Sequence, residues 1–180
     1  MNLAKAFTLL LMFGATSCAE KYKKLSPKTL TADEIVALKA DATALWELGV
    51  SRDIEKLVDM TLQRLIDIGG GRAATKAQLT KAFNEFDADG MVLEDFSLGN
   101  VSSVYRADDG YVVFVEHQST ISFGGSRGRV NGFYVAVGDV GRWKFIDSHG
   151  ITKNPKTLRK LVPGLEPGAT LPTHSVQKLP

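Results

Sequence analysis

The first half of the chain carries apolar residues at the three- and four-residue spacing of amphipathic helices. Thr31 and Glu34 form a capping box, which predicts that a helix begins here. Its apolar face runs until Gly49 and comprises Ile35, Leu38, Ala42, Leu45 and Trp46. Ser51 is the expected N-cap of a second, short helix that ends near Met60.

A third apolar stretch, residues 62–68, ends at Gly69-Gly70-Gly71-Arg72. This glycine run lacks the spacing and the Gly-Lys-Ser/Thr ending of a phosphate-binding loop, so it predicts a helix stop followed by a turn. Thr75 and Gln78 form another capping box and predict that a further amphipathic helix starts after that turn.

The period of the apolar pattern changes to two at Met91, which indicates strands. The glycine-rich junctions between them predict hairpins and hence an antiparallel sheet. We expect strands near 91–98, 101–107, 111–122, 129–137 and 142–147. Helices followed by hairpin-linked strands favour an α+β fold, in which the N-terminal helices pack in the concave face of one strongly curved, cone-like antiparallel sheet.

The N-terminus has the layout of a secretory signal peptide, with one early lysine, an apolar run over residues 6–15 and small residues around Cys18. Residues 15–18, Ala-Thr-Ser-Cys, resemble the lipobox of bacterial lipoproteins, which implies lipidation at Cys18. Cleavage after Ala19 by an ordinary signal peptidase is the alternative. Either interpretation predicts export, to the periplasm or to a lipid anchor on the bacterial envelope.

Composition divides the chain into four segments. Residues 1–18 are assigned to the signal peptide, 19–30 to a polar tether, 31–150 to the α+β domain, and 151–180 to a basic, proline-rich arm. That arm holds five of the six prolines and a short predicted helix near 156–161. Residues 31–150 carry 12 Lys and Arg against 18 Asp and Glu, a net charge of −6, which argues against nucleic acid as a partner.

The order of these elements resembles the nuclear transport factor 2-like superfamily. The resemblance covers roughly residues 31–150 and rests on four features: Trp46 in a long first helix, the short second helix, the turn at residues 65–70, and the final strand at residues 141–147. It implies a cone-shaped pocket and dimerisation through the sheet, in a superfamily that contains both enzymes and non-enzymes. We place Trp46, Tyr111, Tyr134, Trp143 and Asp147 at this pocket.

Candidate chemistry centres on histidine. Alternation along the third predicted strand puts His117 on the same side as Tyr111 and Val113, so this imidazole points into the cone if that side is the inner one. Asp147 and His149 share a face if the last strand extends, and would then form an acid/base pair; the alternative is that Asp147 caps a turn. The histidine spacing matches no metal motif, so neither a metal nor a cofactor is expected.

Three functions stay open at this point. The first is a non-enzymatic envelope protein that binds a small apolar or amphipathic ligand, or a protein partner. The second is a small isomerase, dehydratase or hydrolase that uses His117 or the Asp147/His149 pair. The third is a structural accessory lipoprotein whose cone is filled. The membrane is expected to be a partner only through a lipid anchor at Cys18.

Overall fold

Four helices precede the sheet in the part of the chain that the structure describes. In the computed structural model, which describes residues 30–107, 110–139, 141–152, 155–163, 165 and 169–180, they span Ala32–Ser51 (α1), Ile54–Met60 (α2), Gln63–Ile68 (α3) and Arg72–Ala88 (α4). The signal peptide, Cys18 and the tether through residue 29 lie outside the described residues.

The boundaries of α1 and α2 confirm one predicted cap and correct one predicted helix end and one other cap. The Thr31–Glu34 capping box is present. Helix α1 continues past Gly49 to Ser51 and ends because Arg52 takes the left-handed conformation, with φ of 60°. Asp53 caps α2 in place of Ser51, since its carboxylate accepts from the Lys56 N–H.

The glycine run is the predicted helix stop and turn, but it also starts the next helix. Gly70 and Gly71 have φ of 93° and 91°, and Gly71 is the N-cap of α4. The predicted capping box at Thr75 is therefore wrong: this residue lies one turn inside α4, where its hydroxyl donates to the Gly71 carbonyl.

The antiparallel sheet has five strands. They are β1 (Val92–Ala107), β2 (Gly110–Phe123), β3 (Ser126–Gly138), β4 (Lys144–Asp147) and β5 (Ser175–Leu179). The path β1-β2-β3-β4 is confirmed as a meander, and β5 pairs with β3 beside β4. A hairpin was predicted between β2 and β3, and it is present, but its turn is only Gly124 and Gly125, with φ of 54° and 74°, because β3 begins at Ser126 and not near residue 129.

The predicted hairpin at Gly99-Asn100 is wrong, since β1 runs straight through it. The pairing with β2 shifts register between Leu98 and Val101 and again before Ser103, as a β-bulge does. A glycine at this point indicates either a bulge or a turn, and only pairing along the whole of β2 decides between them.

Each face of the sheet carries its own apolar core. On one face α1 packs against the odd-numbered residues of β2, and this core includes Leu38, Ala42, Tyr111, Val113 and Trp143. On the other face the chain after residue 150 packs against Phe114, Phe133 and Val135. Residues 155–161 form the predicted short helix, here α6 (Pro155–Leu161), which follows α5 (Ser148–Thr152).

The segment assigned to an arm therefore covers the second face of the sheet. Leu158 and Leu165 are each 2% exposed and lie in the same core as Phe133. The composition predicted an extended basic arm with a short helix; the buried leucines between the basic residues pack that helix against the sheet. Among the described helices, none has the length and apolar character needed to cross a bilayer.

We expect Leu158→Ala to lower the free energy of unfolding by about 2–5 kcal/mol, because it leaves a cavity between α6 and the sheet. The exposed Lys160→Ala on the same helix is the matched control and should change stability by less than about 0.5 kcal/mol. Urea denaturation of both variants measures the difference. Equal stabilities would contradict the packing of α6 as part of the core.

Candidate functional site

Three adjacent strands bring a polar cluster together on the face covered by α1. His117 on β2 pairs directly with Gly132 on β3, and Tyr134, two residues further along β3, pairs with Asp147 on β4. Because side chains alternate between faces along a strand, all four positions lie on the same face. Tyr111 and Val113 lie on the same face as His117, as the alternation along the strand predicted, and this is the face beneath α1.

The His117 imidazole is almost completely buried, with 5% of its side chain exposed, and it lies among aromatic rings. Its ring centroid is 4.5 Å from that of Tyr134 and 5.7 Å from that of Phe96. Trp46 of α1 stacks on Phe96 with a centroid distance of 4.7 Å. Phe96 and Trp46 are both half-buried and form a stacked pair between His117 and the surface of α1.

Asp147 faces His117 from the end of β4. Its Oδ2 is 3.6 Å from Nε2 of His117, and its Oδ1 accepts a hydrogen bond of 2.8 Å from the backbone N–H of His149. The carboxylate is 44% exposed, so it connects the buried imidazole to the surface. The structure therefore contains the turn cap foreseen for Asp147, together with a carboxylate–imidazole pair that involves His117.

Electrostatics set the charge of this pair. Partial desolvation by the surrounding protein raises the pKa of Asp147, but the facing His117 imidazole and the N–H of His149 outweigh it, so the pKa lies below its ordinary value. Burial, with a smaller contribution from the Asp147 charge, raises the pKa of the Tyr134 phenol. At neutral pH the cluster therefore holds an ionised carboxylate beside a neutral phenol.

Both ring nitrogens of His117 are buried and lack a hydrogen-bond partner among the described residues. The distance to Asp147 exceeds a normal hydrogen bond, so the contact is an electrostatic one. Buried polar groups in native proteins are nearly always hydrogen-bonded, and an exception calls for an explanation. His117 is such an exception.

His149 lies outside β4, because that strand ends at Asp147 and α5 starts at Ser148. It therefore does not share a strand face with Asp147. Its ring lies edge-on to that of His174, with 5.3 Å between centroids. Ser148 Oγ accepts from the N–H of Phe133 and is 3.2 Å from Nδ1 of His174. All three histidines of the chain thus lie around Asp147 and Ser148, yet no three potential metal ligands converge among the described residues.

Three of the residues assigned to a pocket, Tyr111, Tyr134 and Trp143, belong to the packed core and are 6%, 5% and 3% exposed. The ring centroids of Tyr111 and Trp143 are 6.4 Å apart. Two open grooves, one between α1 and α2 and one along α4, are lined by other residues. Of the expected pocket residues, those around His117 are Trp46, Tyr134 and Asp147.

Sequence reasoning missed Phe96, Gly132, Ser148 and His174. A glycine inside a strand pattern signals a close approach by another group, so Gly132 could have been identified. A Cβ at this position would lie 2.9 Å from Cε1 of His117 and 3.0 Å from Oγ of Ser148. No local pattern indicates that His174, 57 positions after His117, belongs to the same cluster.

We expect Gly132→Ala to displace His117 and Ser148 and to lower stability by about 1–3 kcal/mol, because the added methyl overlaps both side chains. Gly49→Ala is the control, since a Cβ there meets nothing within 4 Å and alanine favours the helix. Urea denaturation and NMR spectra of the His117 ring measure the effect. An unchanged His117 resonance in Gly132→Ala would contradict the contact.

No protein-family model, curated protein or solved structure matches this chain. Its function is therefore inferred from the residues of the cluster and their geometry.

Proposed function

We propose that this chain is an exported domain of the nuclear transport factor 2-like type that binds a small amphipathic ligand, without transforming it, at the cluster around His117. The proposal is supported by the α+β architecture and by the position of α1 over the sheet face that carries His117. In this proposal the sheet is curved as in a cone, and the cluster lies at its open end.

The observation that carries the proposal is the buried, unpartnered imidazole of His117. A buried polar group without a hydrogen bond lowers stability by about 1–3 kcal/mol, and a leucine could fill the same place without that cost. An unpaired polar group in an interior calls for an explanation, and a role in binding or catalysis is one such explanation. A ligand that hydrogen-bonds His117 would recover this energy on binding.

The ligand's apolar part is proposed to contact the stacked Phe96 and Trp46. These rings are half-buried, whereas Tyr111 and Trp143 deeper in the same core are almost inaccessible. A half-buried stacked pair over a polar group resembles the general design of small-molecule sites, in which apolar walls surround a few polar contacts. We propose that the two rings shift to admit the ligand.

Acid/base catalysis by His117 is the second candidate, and the 3.6 Å approach of Asp147 to the imidazole favours it. A carboxylate can orient a histidine and stabilise its protonated form during proton transfer. The two functions differ in one respect: an enzyme returns a changed compound, whereas a binding protein releases the ligand it took up. Mass spectrometry of the bound compound before and after incubation separates them.

We expect the neutral fluorescent probe N-phenyl-1-naphthylamine to bind the purified protein, and Phe96→Leu to weaken binding about tenfold, or about 1.4 kcal/mol. The control is Phe123→Leu, which alters another half-buried phenylalanine, at the end of β2. Fluorescence titration measures both affinities. Absence of binding to the unaltered protein would overturn the proposal and favour a structural protein with a filled interior.

Export and lipid anchoring through Cys18 form the second part of the proposal. Mass spectrometry of the protein isolated from membranes is expected to show a mature N-terminus at Cys18 that carries acyl chains, and Cys18→Ser should abolish the modification. An unmodified N-terminus at Glu20 would instead indicate an ordinary signal peptidase.

A further inference from the structure

The two ring nitrogens of His117 differ in their surroundings, and this difference sets which ligands the site can accept. Neither nitrogen has a hydrogen-bond partner among the described residues, but Nε2 lies 3.6 Å from the Asp147 carboxylate, whereas no charged group is found at Nδ1 within the same salt-bridge distance. We infer that the ligand carries a hydroxyl or N–H donor attached to a flat apolar ring system, and that Nδ1 of His117 accepts this hydrogen. This inference rests on the proposed function.

The orientation of Asp147 fixes the position of the imidazole proton. Oδ1 accepts from the backbone N–H of His149, which leaves Oδ2 to face Nε2 at 3.6 Å. An ionised carboxylate can only accept hydrogen bonds, so a neutral His117 carries its proton on Nε2. The pKa of Asp147 is lowered by the facing imidazole and the His149 N–H in spite of partial desolvation, so the carboxylate is ionised at neutral pH.

With the proton on Nε2, Nδ1 is a hydrogen-bond acceptor. The nitrogen is buried, and no donor reaches it within the described ranges. A ligand hydroxyl or N–H supplies the missing donor, while an ether or carbonyl oxygen would place lone pair against lone pair. An anionic ligand is disfavoured as well, because the cluster already holds the negative charge of Asp147.

The aromatic surroundings define the rest of the ligand. Phe96 and Tyr134 both lie next to the His117 ring, with 6.4 Å between their own centroids, and Trp46 extends the apolar surface from Phe96. Flat rings contact such surfaces with a large area and little loss of conformational entropy. A hydroxylated aromatic or similarly planar compound therefore matches both the polar and the apolar parts of the site.

A matched pair of probes tests the inference. At pH 8 we expect 2-naphthol to bind about tenfold more tightly than 2-methoxynaphthalene, which has the same rings but no donor, and 2-naphthoate to bind most weakly. Nitrogen-15 NMR of His117 should show the proton on Nε2 in the free protein. Equal affinities for the first two compounds, or a proton on Nδ1, would overturn the inference.

Asp147→Asn is expected to reverse the preference. The amide oxygen would take over the hydrogen bond from the His149 N–H, which leaves the NH₂ group facing Nε2 and moves the imidazole proton to Nδ1. His117 then donates to the ligand, so the affinity for 2-methoxynaphthalene relative to that for 2-naphthol should rise about tenfold. Asp89→Asn, which removes the same charge from an exposed side chain at the end of α4, should leave the ratio unchanged.

These experiments distinguish failure of the proposed ligand binding from failure of the inferred preference for a hydrogen-bond donor. If N-phenyl-1-naphthylamine binds but the two naphthalene compounds bind equally well, the site binds ligands without recognising a hydrogen-bond donor, and only the inference fails. If neither probe nor pair binds, the proposed function fails with it. The tautomer measurement requires no ligand, so it tests the Asp147–His117 geometry even when Asp147→Asn does not fold.

Discussion

The structure depends on the burial of β2 and β3 from both sides. Val112, Phe114, Phe133 and Val135 meet the C-terminal segment, while Val113, Val115 and Ala136 face the core beneath α1. All seven side chains have no exposed surface. Such strands must find apolar partners on both faces, which explains why the residues after 150 pack against the sheet in spite of their basic character.

The polar cluster lies where this double burial ends. Towards the hairpin, β2 and β3 change from aliphatic residues to His117, Gln118, Asn131 and Gly132. Strand β5 pairs with β3 at this end of the sheet. The Asn131 side chain donates a hydrogen bond to Ser175, and His174 lies next to Ser148. The site is thus assembled from β1, β2, β3, β4 and the chain terminus, and its geometry depends on every pairing of the sheet.

The position of His117 depends on the missing side chain at Gly132 and on the charge of Asp147. The absence of a side chain at Gly132 allows the imidazole of His117 and the hydroxyl of Ser148 to approach the backbone of β3. Asp147 then faces Nε2 of the ring, and the aromatic rings of Phe96 and Tyr134 lie next to the imidazole. A buried base with one nitrogen next to a carboxylate and the other unpartnered is suited to recognising a donor, and the proposed ligand class follows from that asymmetry.

The sequence by itself determined that helices precede an antiparallel sheet, that a hairpin follows β2, and that His117 shares a side of β2 with Tyr111 and Val113. These features follow from local periodicity and backbone preference. It could not determine that Gly99 lies in a bulge, that Gly71 rather than Thr75 starts α4, or that Leu158 is buried. It also could not place His117, Asp147 and His174 in one cluster. Those outcomes depend on strand register and on packing between residues distant in the chain, which no local pattern records.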